Sequence, residues 1–211
     1  MTENIVKIFS ASAQKYDGWF DRHRPVYESE LLALKRFIAP DGLGLEIGVG
    51  TGRFAGPLGI KIGVEPAPGM ADLARQRGIR MVRAVAEDLP FREASFDRAL
   101  LVTTLCFLAD PRLALAEAKR ILKPRGRIII GLIDRDSPLG QAYEAHKLEN
   151  EFYRPANFLS IGQVLSWLKI LGFGKPEVCQ TLFRPLGDIT HPETVRAGYG
   201  AGGFVVVTAR K

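Results

Sequence analysis

At 211 residues, 46% hydrophobic and 25% charged, the chain has the length and composition of one globular domain able to bury a substantial core. Its longest nearly apolar run, 99–109, is interrupted by Thr103 and Thr104 and is too short to cross a bilayer; residues 1–7 lack the basic start and apolar stretch of a signal peptide, so a cytoplasmic protein with no membrane partner is expected. The net charge of +6 is spread along the chain, densest at Arg75, Arg77, Arg80 and Arg83, which reads as a solvated surface with no nucleic-acid partner expected.

Residues 4–20 and 25–38 read as two helices, the second carrying Leu31, Leu32, Leu34, Phe37 and Ile38 near helical spacing. Strands are expected at 43–48, 60–65, 80–85, 96–103 and 126–133, with helices between them at about 51–58, 68–77 and 111–122. The last of these helices opens on Asp110-Pro111 as N-cap and first helical residue. Helices at 137–150 and 160–171 follow, with Ser160 a candidate N-cap, and strands near 176–183 and 203–209 close the chain. Alternating strands and helices imply parallel pairing with right-handed crossovers. The fold class is α/β. Cys106 and Cys179 stand singly in apolar surroundings and are expected to be buried free thiols.

The most informative stretch is Leu43-Gly-Leu-Glu-Ile-Gly-Val-Gly-Thr-Gly52, followed by Gly63-Val-Glu-Pro66. An apolar strand runs into glycines at alternate positions, where the backbone can turn sharply and approach a ligand. The next apolar run ends on Glu65, a planar acceptor suited to two ribose hydroxyls. The spacing is G-x-G-x-G, with Arg53 where the dinucleotide fingerprint requires its third glycine. Glu46, just before the glycines, repels phosphate and favours a cation. These features point to a nucleoside without phosphates and suit S-adenosylmethionine, with its amine and sulfonium.

Glu46–Gly52 resembles the first motif of the class I S-adenosylmethionine-dependent methyltransferases, and Gly63–Met70 resembles their second. Ala86-Glu-Asp-Leu-Pro-Phe91 with Ser95-Phe96-Asp97 resembles the third motif and the start of the fourth strand. Leu122–Ile130 resembles the turn into the fifth. The resemblance spans roughly residues 10 to 175 and is nearest the small-molecule type that includes the ubiquinone/menaquinone methyltransferases. It implies a Rossmann-like three-layer sandwich with a seven-stranded, mostly parallel sheet ending in an antiparallel hairpin. One methyltransferase domain is expected over 1–211, with a helical lid at 1–38, a cofactor core at 39–135 and a substrate-side cover at 136–160.

The resemblance implies that Gly48, Gly50 and Gly52 lie under the methionine and ribose parts of S-adenosylmethionine. Pro66 and Met70 wall the ribose and adenine, although Met70 serves equally well as helix core. The aspartate that many relatives place before the third-motif alanine is Val85 here. The Ala86 N–H can still reach an adenine ring nitrogen, and Glu87, with Asp88 second, is the expected acceptor for the exocyclic amine. Thr103 lines the cofactor from below. Ala13–Phe20 resembles the helix that lids the cofactor, with Tyr16 over its carboxylate end.

The sulfonium is already activated, so the protein's task is alignment and water exclusion. His23, His146 and His191 fall in no motif, and no metal-ligand spacing occurs. Catalytic residues are therefore unassigned. Two rival readings are a cofactor-binding protein without transferase activity and an NAD(P)-dependent oxidoreductase, the latter opposed by Arg53, Glu46 and the lack of a Tyr-x-x-x-Lys pair. The expected partner is a small-molecule substrate selected by 1–30, 135–160 and 184–200, in a monomer or homodimer.

Overall fold

The computed structural model describes residues 2–39 and 41–211. Three N-terminal helices, α1 (Glu3–Ala11), α2 (Ala13–Arg22) and α3 (Arg24–Lys35), precede β1 (Gly44–Ile47), β2 (Ile62–Val64), α4 (Pro68–Gln76), β3 (Arg80–Val82) and β4 (Phe96–Val102). Then come α5 (Pro111–Ile121), β5 (Leu122–Ile133), α6 (Pro138–His146), α7 (Ile161–Ile170), β6 (Glu177–Thr181), β7 (Arg196–Ala197) and β8 (Phe204–Arg210).

The strands form one eight-stranded sheet in the order β3-β2-β1-β4-β5-β8-β6-β7. The first five are parallel, and β8 runs antiparallel between β5 and β6. All seven expected strands are present. The eighth, β7, is a two-residue edge strand paired with Cys179 and Gln180, too short to leave a periodic signal. From β1 the chain steps outward through β2 and β3 and returns on the other side at β4, so a crevice opens between the β1 and β4 carboxyl ends.

Alternation along the central strands feeds two apolar layers. On β5, Ile129 and Ile133 join the layer under α1–α4, while Ile128, Ile130 and Leu132 join the one under α5 and α7. On β8, Phe204 and Val206 divide from Val205 and Val207 in the same way. The helix starts are capped as the sequence suggests: Asp110 Oδ1 accepts from the Arg112 and Leu113 N–H groups, each at 3.0 Å, and Ser160 and Gln163 form a capping box.

Two expected helices differ. The single helix over 4–20 is kinked at Ser12 (φ −105°, ψ 19°), where α1 hands over to α2. The Ser10 hydroxyl accepts the Gly69 N–H at 2.9 Å, docking α1 on the start of α4. In place of the helix at about 51–58, residues 51–59 form consecutive turns. Gly52, Gly56 and Gly59 raise the entropic cost of forming a helix there, and Pro57 has no N–H to give.

Candidate functional site: a glycine loop beside an aromatic cavity

The loop after β1 is pinned to the end of β2, because the Gly48 and Val49 N–H groups both donate to the Val64 carbonyl at 2.8 and 3.0 Å. Gly48, Gly50 and Gly52 have φ of +70°, +55° and +81°, a region that L side chains avoid. A Cβ on Gly48 would lie 2.4 Å from Thr104 Cγ2, whereas one on Gly50 would point at the Tyr16 ring, 4.0 Å from Cε1.

Two buried carboxylates face this loop. Glu65, 5% exposed, accepts from the Gly50 N–H through Oε2 at 3.0 Å and from the Ala67 N–H through Oε1 at 2.9 Å. It therefore ties the glycine loop to the start of α4. Burial pushes its carboxyl up to about 7, although these two backbone bonds restrain the rise. Glu46, 1% exposed, has Oε2 buried with no hydrogen-bond partner among the described residues. Burial pushes Glu46 up to about 8, and the charge of Glu65 adds to the rise. A buried carboxylate oxygen lacking a donor is the group that an amine or sulfonium would satisfy, and a phosphate would worsen its position.

Helix α2 is clasped to the loop through residues the sequence reading did not pair. Arg53 donates to Asp17 and Asp21 on α2, and Arg77 donates to Asp17 Oδ2 at 2.8 Å. The Tyr27 hydroxyl donates to the Arg53 carbonyl. The residue that breaks the dinucleotide fingerprint thus holds α2 to the loop.

The remaining expected site residues fall around this centre. Thr103, directly after β4, has φ +48° and is held by its N–H to the Gly131 carbonyl at 2.8 Å, a strained bend at the topological switch. Pro66 is partly exposed beside the loop, while Met70 is 2% exposed within the apolar layer. Ala86 is buried, and Glu87 Oε1 accepts the Ala109 N–H at 3.0 Å. Val85 bridges to Asp88, which is exposed. Cys106 and Cys179 are both free thiols, raised by burial to about 12 and about 11. Among the described residues no group of three or more His, Cys, Asp or Glu could hold a metal ion, and no helix is long and apolar enough to cross a membrane.

Beyond Tyr16 lies a cavity of about 270 Å³. Its wall is aromatic: Tyr16, Trp19 and Phe20 from α2, Tyr143 from α6, and Phe152, Tyr153 and Phe158 from the segment that follows. A space of about 20 Å³ lies against the glycine loop, and Tyr16, Phe20, Phe54 and Thr103 line both. Over the mouth, Lys15 pairs with Glu151 at 2.6 Å, and the Ser12 hydroxyl donates to Glu151 Oε2 at 3.2 Å. Phe152 packs on Phe9 and Tyr16 with ring centroids 5.5 Å apart in each case. The histidines lie outside the cavity lining, and His23 stacks on Trp19 at 4.6 Å.

Comparison with known proteins agrees with this geometry. Residues 45–130 match the family described as Methyltransferase domain. An uncharacterised protein of Methanocaldococcus jannaschii is 50% identical over 206 residues, covering 98% of this chain and 100% of that one. A Thermotoga maritima protein, described as a SAM-dependent methyltransferase and "possible histamine N-methyltransferase", is 48% identical with a TM-score of 0.94 over 97% of this chain and 99% of that one.

The chain belongs to the class I S-adenosylmethionine-dependent methyltransferase family.

Fold likeness extends further. The 1,6-didemethyltoxoflavin-N1-methyltransferase of Burkholderia thailandensis, whose structure holds S-adenosylhomocysteine, has a TM-score of 0.67 at 19% identity, covering 98% of this chain and 86% of that one. The sequence reading singled out the glycine loop, Glu65 and Arg53, but it did not pair Arg53 with Asp17 and it passed over Glu30. A signal for Glu30 was present: it lies four residues after Val26 and four before Leu34, on the buried stripe of α3.

Proposed function

We propose that this protein transfers a methyl group from S-adenosylmethionine to a small-molecule acceptor held in the aromatic cavity. The wall shared by the glycine loop and the cavity carries this reading, since Tyr16, Phe20, Phe54 and Thr103 line both. The unsatisfied Glu46 oxygen and the side-chain-free face of Gly50 fit the cationic amino-acid end of the cofactor, and Glu65 fits its ribose hydroxyls. Ala86 and Glu87 are assigned to the adenine end, with Pro66 and Met70 behind it, and Gly48 and Gly52 shape the loop. When bound, the cofactor supplies a methyl group that is already activated. The chain's own work is to seat the acceptor against Thr103 and to keep water out by closing α2 against residues 150–158.

The acceptor chemistry is argued from the cavity. The Thermotoga maritima relative carries a description naming histamine, which supports a small acceptor of this size class. Incubation with methyl-labelled S-adenosylmethionine and a panel of small metabolites tests the reading, and labelled product with S-adenosylhomocysteine is the expected result. Cofactor binding without transfer to any panel member would favour a binding protein. Stabilisation by NAD with indifference to S-adenosylmethionine would overturn the assignment altogether.

A further inference from the structure

Among the described residues, Glu30 is the buried acid of the aromatic cavity, whereas Glu149 and Glu151 in the same lining are not buried. It lies on α3, is 5% exposed and lines the cavity. Among the described residues its carboxylate has no hydrogen bond and no ion pair. Of the basic residues in the same lining, Lys15 pairs with Glu151 at the mouth, and the Arg22 guanidinium lies beside Gly18 of its own helix; neither bonds to Glu30. Around Glu30 stand Tyr16, Tyr143 and Tyr153, whose hydroxyls are all raised first by burial and further by the Glu30 charge.

A buried carboxylate with no partner costs the fold free energy, and an apolar residue on the α3 stripe would avoid that cost. Such groups persist where function needs them. An anionic acceptor would gain no charge pairing from this carboxyl, and an uncharged apolar one would leave it without a partner. An ammonium satisfies both surfaces at once, pairing with the carboxylate and lying against electron-rich ring faces.

We propose that the acceptor carries an ammonium group and that Glu30 is the residue that holds it, the methyl group passing to a separate atom of the acceptor that keeps a lone pair. This rests on the reading of the cavity as the acceptor site. Burial pushes the Glu30 carboxyl up to about 8, and a bound ammonium would draw it back down. Specificity then comes from the carboxylate for charge and from the tyrosine cage for shape.

The test is titration calorimetry on protein with and without S-adenosylhomocysteine. The probes are 2-phenylethylamine and 2-(imidazol-4-yl)ethylamine, each with its matched alcohol and carboxylic acid. At least one amine is expected to bind at least about tenfold tighter than its alcohol and its acid, and Glu30→Gln is expected to erase that preference. Glu30→Gln should leave S-adenosylhomocysteine affinity unchanged and should raise the melting temperature near pH 8.5, because no charge is then buried. A purely structural Glu30 would give the opposite thermal shift. An alcohol or acid that binds as well as its amine, an amine preference retained by Glu30→Gln, or no binding by either amine overturns the proposal. Failure of the wild type to bind S-adenosylhomocysteine would instead sink the transferase reading, while the amine series without it still decides the role of Glu30.

Discussion

Asp17 and Arg53 meet as a two-point ion pair, with Arg53 Nε 3.0 Å from Asp17 Oδ1 and Nη2 2.7 Å from Oδ2. Both are largely buried, with side chains 12% and 16% exposed. Burial alone would raise the Asp17 carboxyl, yet hydrogen bonds from Arg53 and Arg77 hold it down at about 2. The pair fastens α2, which carries Tyr16 and Phe20, to the residue after Gly52. Asp17→Asn is expected to cost about 1–3 kcal/mol, because both arginines lose a charged acceptor in a half-dry setting. Denaturant unfolding measures this, and hydrogen exchange should quicken across 13–22. An unchanged midpoint would show that the exposed Asp21 suffices to hold Arg53.

What the sequence made legible was local. Glycines at alternate positions after an apolar strand, and an acid ending the next strand, are readable because a few neighbouring residues set their conformation. The α/β order followed from alternating periodicities in the same way. Asp17 and Arg53 lie 36 residues apart on segments with no shared pattern, so their pairing depends on where the fold brings α2. Glu30 was legible only in part: its spacing from Val26 and Leu34 put it on the apolar stripe of α3, but an acid there reads as solvated until the fold is known to cover it. The turns at 51–59 show propensity outweighing the helix that the layer order suggested. The kink at Ser12 is tertiary in origin, arising where α1 docks on Gly69 and α2 on Arg53.

Glu65 carries two loads, and substitutions should separate them. Its oxygens already receive the Gly50 and Ala67 N–H groups, so Glu65→Ala leaves two backbone donors unpaired and should lower stability as well as cofactor affinity. Glu65→Gln keeps one acceptor and the side-chain volume. Charge-assisted bonds to ribose hydroxyls are worth on the order of 1.5–3 kcal/mol each before water replaces them, so S-adenosylhomocysteine affinity should fall at least about tenfold in Glu65→Gln. Calorimetry beside a circular dichroism melt distinguishes the two effects. Undiminished affinity with a lowered melt would confine Glu65 to the loop's architecture.

The pH dependence of stability has a definite sign. Burial raises Glu30 and Glu46 to about 8 and Glu65 to about 7. Each binds its proton more tightly in the folded chain than in the unfolded one, where a glutamate titrates near about 4.3. Their contribution is complete below the unfolded value and is lost as pH rises through about 7 to 8. Asp17 runs the other way, contributing fully above the unfolded aspartate value and fading only as pH falls toward 2. The buried glutamates therefore govern the neutral range, and the melting temperature should be higher at about pH 5.5 than at about pH 8.5. Glu46→Gln should flatten that slope in differential scanning fluorimetry. A melting temperature that climbs over the same interval would show these carboxylates to be hydrated or paired.

The cover over the cavity should loosen and tighten with ligand. Its two halves meet through few groups: Lys15 and Ser12 on Glu151, and Phe9 and Tyr16 on Phe152. The ion pair is exposed, its side chains 69% and 39% accessible, so it contributes little to holding the mouth shut. By contrast, β4 and β5 run buried through the centre of the sheet. Elements that gate a site are drawn from the less stable parts of a fold, and closure serves both alignment and water exclusion. Amide exchange at 8–24 and 137–158 should therefore be faster than in β1, β4 and β5, and it should slow when S-adenosylhomocysteine is added, because the ligand would rest against Tyr16 from the loop side. Glu151→Ala should speed exchange in both segments together, since both lose their partner at the mouth. Equal protection with and without ligand would mean that α2 and residues 137–158 are fixed walls, and that the acceptor enters by another path.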